Sequence, residues 1–365
     1  MDSKLPPTKK FYIPPNSERK ECEMFWVNNQ PFLASQGYML RPRYHPGWIP
    51  SWKSDPKPMA PIRSYEDEHV IHGHRRWRII DAVHIPDGSK VILKAVSLLP
   101  DEFELGITHF LSTEEMRKDP RNNAIPVLDA FPIPCVEDWA IIVMPMFRGF
   151  ASPPFHCRSE FIELFQQLLA GLEFLHSENI AHRDISVNNI VMDHQRVLPK
   201  GYHFGLKRSH DGIEWELPTE LRCRAGPVDY CYIDFEFSEC FPEGREKTLI
   251  SGIAGQRVPE VQDSDTLYNP FKADVYQLGV AMLDIFERYT GLDDFKPLLR
   301  QMASIDPDKR PTASEALVQF EAVVSRSSQA SLSWRIWSNQ LCDSLVPWFW
   351  ARFLYRIFPP CRSSV

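Results

Sequence analysis

Asp184 and Asn189 stand five residues apart in the stretch His182-Arg183-Asp184-Ile185-Ser186-Val187-Asn188-Asn189. A carboxylate and an amide at this spacing are suited to moving phosphate. The Asp can take the proton of an attacking hydroxyl while the Asn offers its carbonyl oxygen to Mg²⁺, and neither task suits an apolar or cationic side chain. A His-Arg-Asp in a solvated surface turn is the plain alternative, so the flanking elements must decide. Upstream, Ser159 is a suitable N-cap for a helix whose Phe161, Ile162, Phe165, Leu168, Leu169, Leu172 and Leu175 form a wide apolar stripe. Downstream comes the apolar run Ile190-Val191-Met192. A buried helix therefore delivers the stretch, and a strand leads away from it.

Earlier in the chain, residues 77–85 alternate as a strand, Asp87-Gly88 marks a turn, and 90–96 form a second strand, a strong hairpin pattern. Lys94 lies inside that second apolar strand, where a lone ammonium is costly to bury, so it needs an anionic partner. Residues 101–118 fit a helix in which Glu104, Ile107 and Leu111 share a face, which favours Glu104 over its neighbour Glu102 as that partner. Trp139 to Met144 fits a buried strand running into Pro145-Met146-Phe147, and Cys231 to Tyr232 a strand ending at Asp234-Phe235.

In this order, the motifs resemble the eukaryotic protein kinase superfamily, whose catalytic loop is H-R-D-x-x-x-x-N. The resemblance extends to Arg257-Val258-Pro259-Glu260, Asp274-Val275-Tyr276-Gln277-Leu278-Gly279-Val280 and Asp306-Pro307-Asp308-Lys309-Arg310-Pro311-Thr312. It implies an α+β, bilobal protein-kinase fold with a small β-rich N-lobe and a larger, mainly helical C-lobe. It also implies roles: Asp184 as base with Arg183 beside it, Asn189 and Asp234 on Mg²⁺, and Lys94 with Glu104 on the phosphates of ATP. Met144 would guard the adenine pocket and Met146 lie at its hinge. His182, Asp274 and the pair Glu260 with Arg310 would be structural, Asp274 anchoring the His182-Arg183 backbone. The wording Pro46-Gly47-Trp48-Ile49-Pro50-Ser51-Trp52 and His-Arg-Asp-Ile-Ser resembles, more finely, the fungal-type protein-kinase-like family.

The departures are specific. The glycines of a phosphate-covering loop should fall near His72, His74 and Trp77, and only Gly73 lies there; the two histidines lack a third metal ligand in register. Ser186 stands where a lysine is usual, Ile253 where that lysine's threonine partner is usual, and Glu236 replaces the glycine of Asp-Phe-Gly. Arg183 is suited to pair with a phosphorylated Thr248 or Ser251, or else with neighbouring carboxylates.

At 365 residues with 43% hydrophobic content, the chain can build a sizeable core. We divide it into a Pro- and aromatic-rich arm at 1–62 and a kinase domain at 63–325. That domain comprises an N-lobe at about 63–145, a C-lobe at about 148–325 and an insertion at about 193–229. A Ser-rich linker and tail follow at 326–365. The prolines of the arm argue for an extended segment, packed through Trp48 and Trp52 or docking a partner. A net charge of -7 leaves no broad cationic face and argues against a nucleic-acid partner. The eight cysteines form no C-x-x-C pair, so they suggest thiols in a reducing compartment and no zinc site. No signal-peptide pattern or apolar span appears, which points to a cytoplasmic or nuclear rather than secreted protein. Residues 345–358, aromatic with Arg352 and Arg356, suit docking on the large lobe or peripheral membrane contact. Cys361 does not fit a prenylation pattern. Three functions follow: an ATP- and Mg²⁺-dependent Ser/Thr protein kinase with a protein substrate, a pseudokinase scaffold, and a small-molecule kinase. The last is disfavoured by Arg183, Glu260 and Arg310.

Overall fold

Helix formation begins well inside the proline-rich segment. The computed structural model describes residues 17–55, 65–70, 77–99, 102–134, 136–245, 248–252 and 254–338. Within them α1 spans Met24–Ser35 with Pro31 in its interior. Pro31 removes one helical donor, but Trp26, Val27 and Leu33 are buried, and that burial offsets the missing bond. Over Met24–Ser35 the expected extended backbone is thus corrected to a helix. Strand β1 (Tyr38–Leu40) pairs antiparallel with β2 (Ile79–His84), and Trp26, Tyr38, Leu40 and Tyr44 share one core with Ile80, Leu93 and Val143. A short helix α2 (Ser51–Ser54) buries Trp52, and Trp48 donates its indole N–H to Asp67 at 2.8 Å.

The chain separates into two compact units: the first holds residues 1–96, 128–146 and 198–219, the second 97–127, 147–197 and 220–365. The first is built on a five-stranded sheet of order β1-β2-β3-β5-β4, with β3 at Lys90–Ser97, β4 at Asp129–Pro132 and β5 at Trp139–Pro145. Gly88, at φ +73°, closes the β2–β3 hairpin. Residues 198–219, expected as part of an insertion in the large lobe, cluster with this sheet instead. The Lys90 ammonium donates to the Tyr202 carbonyl at 3.0 Å, the His203 ring meets Glu66 at 3.0 Å, and the His69 ring meets the Gly212 carbonyl at 2.8 Å.

The second unit is mainly helical. Residues 101–118, expected as one helix of the N-lobe, form two short ones, α3 (Glu104–Leu111) and α4 (Glu114–Arg117), because Thr113 caps a new start by accepting the Met116 N–H. They group with the second unit, since Ile107 and Leu111 join its core and Asn123 donates to Gln167 at 2.8 Å. After β6 (Arg148–Gly149) comes α5 (Arg158–Ser177), with Cys157 rather than the expected Ser159 at its N-cap position and no side-chain capping bond. Then follow β7 (Ile180–Ala181), β8 (Ile190–Met192), α6 (Arg222–Ala225), β9 (Tyr230–Tyr232), β10 (Glu239–Cys240), α7 (Pro270–Arg288), α8 (Lys296–Met302) and α9 (Ala313–Ser325). Aromatic pairs such as Phe165 with Phe320 fill the space between α5 and α9. Gly279 lets α7 meet α8, since a Cβ there would lie 2.8 Å from the Met302 Cβ. The result is the expected α+β class, with a smaller β-rich unit and a larger helical one, consistent with a bilobal protein-kinase fold. Gly73, His72, His74, Ile253 and the 345–358 tail lie outside the described residues.

Candidate active site

The loop from His182 to Asn189 joins β7 to β8 within the helical unit, and α7 holds its backbone. Asn269 caps α7 by accepting the N–H groups of Phe271 and Lys272. One turn on, Asp274 is wholly buried and accepts the N–H of His182 at 2.8 Å and of Arg183 at 2.7 Å. The His176 ring lies 3.0 Å from the same carboxylate. Gln277, three residues further and on the same face, accepts the Ile185 N–H at 2.9 Å and donates to the Arg183 and Gln256 carbonyls at 3.0 Å each. Arg183, so gripped, sits at φ +64°, a conformation costly for a residue with a Cβ.

That bend presents Asp184. The residue is 8% exposed, and Asn189 Nδ2 donates both to its main-chain oxygen at 2.8 Å and to Oδ2 at 2.7 Å. Oδ1 is buried and accepts none of the loop's hydrogen bonds. Burial, then the neighbouring Asp234 charge, raises the Asp184 pKa to about 6, against the lowering effect of the Asn189 and Gln256 side chains. Asp234 follows β9 at φ +67°, and Phe235 buries its ring 4.8 Å from His182. Burial likewise pushes the His182 imidazole below its ordinary value, and Nε2 lies 3.2 Å from the Ile233 carbonyl. The left-handed residue is Asp234 and not Glu236, so this backbone does not require the glycine that Glu236 replaces.

Elsewhere in the unit, Arg310 forks onto Glu260 at 2.6 and 2.7 Å, donates to the Ser304 carbonyl at 2.8 Å and lies over the Tyr276 ring. The Arg183 guanidinium is engaged by Glu239 at 3.1 Å and Tyr268 at 3.2 Å. Lys94 (5% exposed), Met144 and Met146 are buried in the sheet unit, with the Met146 N–H donating to the Lys90 carbonyl at 3.3 Å. Glu104 is buried in the helical unit, whereas its rival Glu102 is half-exposed. Lys94 and Glu104 thus belong to different units.

With this geometry in hand, known proteins give a consistent comparison. Over 232 residues the chain is 24% identical to the serine/threonine-protein kinase pak-1 of Caenorhabditis elegans, covering 62% of the chain and 34% of the relative. It is 28% identical over 125 residues to the serine/threonine-protein kinase ELM1 of Saccharomyces cerevisiae, covering 33% and 17%. Cyclin-dependent kinase 12 of Drosophila melanogaster is 29% identical over 184 residues, covering 42% and 15%. These relatives support the protein kinase superfamily. The chain spans about a third of the length of pak-1 and less than a fifth of the other two relatives, and no family model matches it.

Within this kinase-like chain, several residues of the site escaped sequence reasoning. Gln277 was legible in principle, because it repeats the face of Asp274 three residues on. Gly255, whose N–H donates to the Arg183 carbonyl at 3.1 Å, and Glu239 carried no local signal, since their roles arise only where distant segments meet.

Proposed function

We propose that the chain is an ATP-dependent protein kinase that transfers the γ-phosphoryl group to a Ser or Thr hydroxyl of a protein. The observation that carries this reading is the Asp184 carboxylate: Asn189 holds one oxygen, and the other, buried beside Gln256 and Gly255, accepts none of the loop's hydrogen bonds. An oxygen in that condition suits a hydroxyl proton. In the reaction the hydroxyl gives its proton to Asp184 as its oxygen attacks the γ-phosphorus and ADP departs. The Asn189 amide oxygen and the Asp234 carboxylate would hold Mg²⁺, as the hard oxygen donors it takes. Mg²⁺, when bound, neutralises charge developing on the phosphates. By the kinase resemblance, Lys94 and Glu104 are each assigned to the phosphates and Met144 and Met146 to the adenine, while Arg183 would hold the loop's shape. His182, Asp274 and the Glu260–Arg310 pair would serve as framework. A pocket of about 180 Å³ beside the loop, lined by Ser186, Gln256, Tyr276 and Asp284 among others, is where we place a substrate side chain.

We place the catalytic domain between about residue 24 and residue 325, beginning earlier than the proline content suggests because α1 and β1 share the sheet's core. The fungal-type subfamily and a cytoplasmic or nuclear location belong to the same proposal; no described helix is long and apolar enough to cross a membrane.

A second reading, a pseudokinase scaffold, draws support from Ser186 and from the backbone at Gly255 lying against Asp184. Phosphate incorporation from labelled ATP separates the two. A protein kinase shows turnover that falls by about two to four powers of ten on Asp184→Asn, the range for loss of a general base. A scaffold shows none with Mg²⁺ or Mn²⁺, and equal backgrounds for both proteins would overturn the kinase reading.

A further inference from the structure

Away from the catalytic loop, the start of α5 and the short helix α6 bring together four side chains that sequence spacing keeps apart. His156, Cys157 and Glu160 come from the α5 start, and Cys223 from α6, 63 residues beyond Glu160. One ligand atom from each lies within 4.8 Å of the other three. Cys223 Sγ is 3.8 Å from His156 Nδ1. Donor atoms around a tetrahedral zinc, with bonds of about 2.3 Å to sulfur and about 2.0 Å to nitrogen, are themselves separated by roughly 3.3–3.8 Å, so small rotations of these side chains suffice. Cys157 and Glu160 are buried while His156 and Cys223 are half-buried, which leaves an approach from solvent.

We propose that His156, Cys157 and Cys223 bind a structural zinc ion, with Glu160 or a water completing the tetrahedron. The chemistry is borderline-soft: two sulfurs and an imidazole select Zn²⁺ over Mg²⁺ or Ca²⁺, which take oxygen donors. Binding releases the two thiol protons, so the thiolates balance the ion's charge. Glu160 orients the site. Its Oε2 accepts the His156 N–H at 2.7 Å and its Oε1 the Cys223 N–H at 2.9 Å, so one carboxylate fixes the backbone of both ligand-bearing segments. Arg222 places Nη1 3.8 Å from Glu160 and is itself held by the Phe150 and Pro153 carbonyls at 2.6 Å each.

The position gives the ion a purpose. The same turn carries a third segment: the Arg158 N–H donates to the Trp334 carbonyl at 2.9 Å, and the Ile336 N–H to the His156 carbonyl at 3.0 Å. A zinc there ties α6 to the root of α5 at the point where residues 334–336 are paired. No local signature announces it, because the third ligand returns only after a long excursion of chain. The sequence expectation of no zinc site rested on the lack of C-x-x-C pairs, and the tertiary structure supplies what spacing does not.

The test uses the full chain, reduced, stripped with a chelator and titrated with Zn²⁺ against a chromophoric competitor. One equivalent should bind at submicromolar affinity, and Co²⁺ in its place should give intense sulfur-to-cobalt absorption. Cys157→Ser with Cys223→Ser should abolish both signals, whereas Cys240→Ser, at an exposed cysteine in β10, should leave both intact. His156→Ala, which alters a half-buried ring and keeps the thiols, should weaken zinc at least tenfold and shift the cobalt spectrum if the double variant fails to fold. A wild-type chain that takes up no stoichiometric zinc overturns the proposal. So does unchanged binding in the folded double variant, or a Cys157–Cys223 disulfide in place of metal under reducing purification. None of these readouts depends on phosphoryl transfer.

Discussion

Gly255 lies against Asp184 so closely that a Cβ on residue 255 would fall 2.3 Å from the Asp184 Cγ and 2.7 Å from its Cβ. The segment that ends at Glu260 therefore packs its backbone onto the carboxylate, and only a hydrogen at position 255 permits it. Gly255→Ala should push Asp184 from its bond with Asn189 or displace the segment. Overpacking of this kind costs about 1–3 kcal/mol. We expect a lower urea midpoint and at least tenfold slower phosphate transfer, measured on the same preparation; unchanged activity would show that the approach is incidental.

Asp184 itself should show a trade of stability against activity. Its pKa is raised to about 6 from an ordinary 3.8, first by burial and then by Asp234. Between these values the folded chain binds a proton that the unfolded chain has lost, so stability falls as pH rises through that window. Above about pH 6 the carboxylate is ionised at a cost, which Asp184→Asn removes. The variant should melt higher than wild type at pH 7.5 and equal to it near pH 3.5, by calorimetry. Wild-type kcat/KM should decline below about pH 6, where the base is protonated.

Asp274 is expected to act through position rather than contact with substrate, since both its oxygens are spent on the His182 and Arg183 amides. Asp274→Asn converts one acceptor into a donor facing an N–H. A displacement of the loop by about 1 Å costs on the order of a hundredfold in rate. The expected signature is a fall in kcat with KM for ATP nearly unchanged. A rise in KM alone would argue against it.

The Arg310–Glu260 fork should carry stability. Removing one partner of a buried ion pair costs about 3–5 kcal/mol because the other charge is stranded. Glu260 is 14% exposed, which places Glu260→Ala at the lower end, about 3 kcal/mol, by urea unfolding. A loss below about 1 kcal/mol would assign the fork to the surface class.

How much of this was legible before any fold was known depends on the range of each interaction. The β2–β3 hairpin, the apolar stripe of α5 and the strand at β5 were readable because periodicity and an Asp-Gly turn are local signals. The break at Thr113, where a cap competes with helix propensity, and the start of α5 at Cys157 were missed at the scale of single residues. Helix α1 was missed for another reason. Proline content argued against it, and the burial of Trp26 and Leu33 against distant strands outweighed that argument.

By itself the sequence determined the chemical inventory: Asp184 with Asn189 five residues on, Asp234, the buried-strand Lys94, and the order of motifs that leads to Glu260, Asp274 and Arg310. Tertiary structure decided what surrounds that inventory. It buried Asp184 Oδ1, set Gly255 against the carboxylate, engaged Arg183 with Glu239, and gathered His156, Cys157 and Cys223. The physical reason is common to all four. Each depends on desolvation and close approach between segments far apart in the chain, and neither quantity exists until the chain has folded.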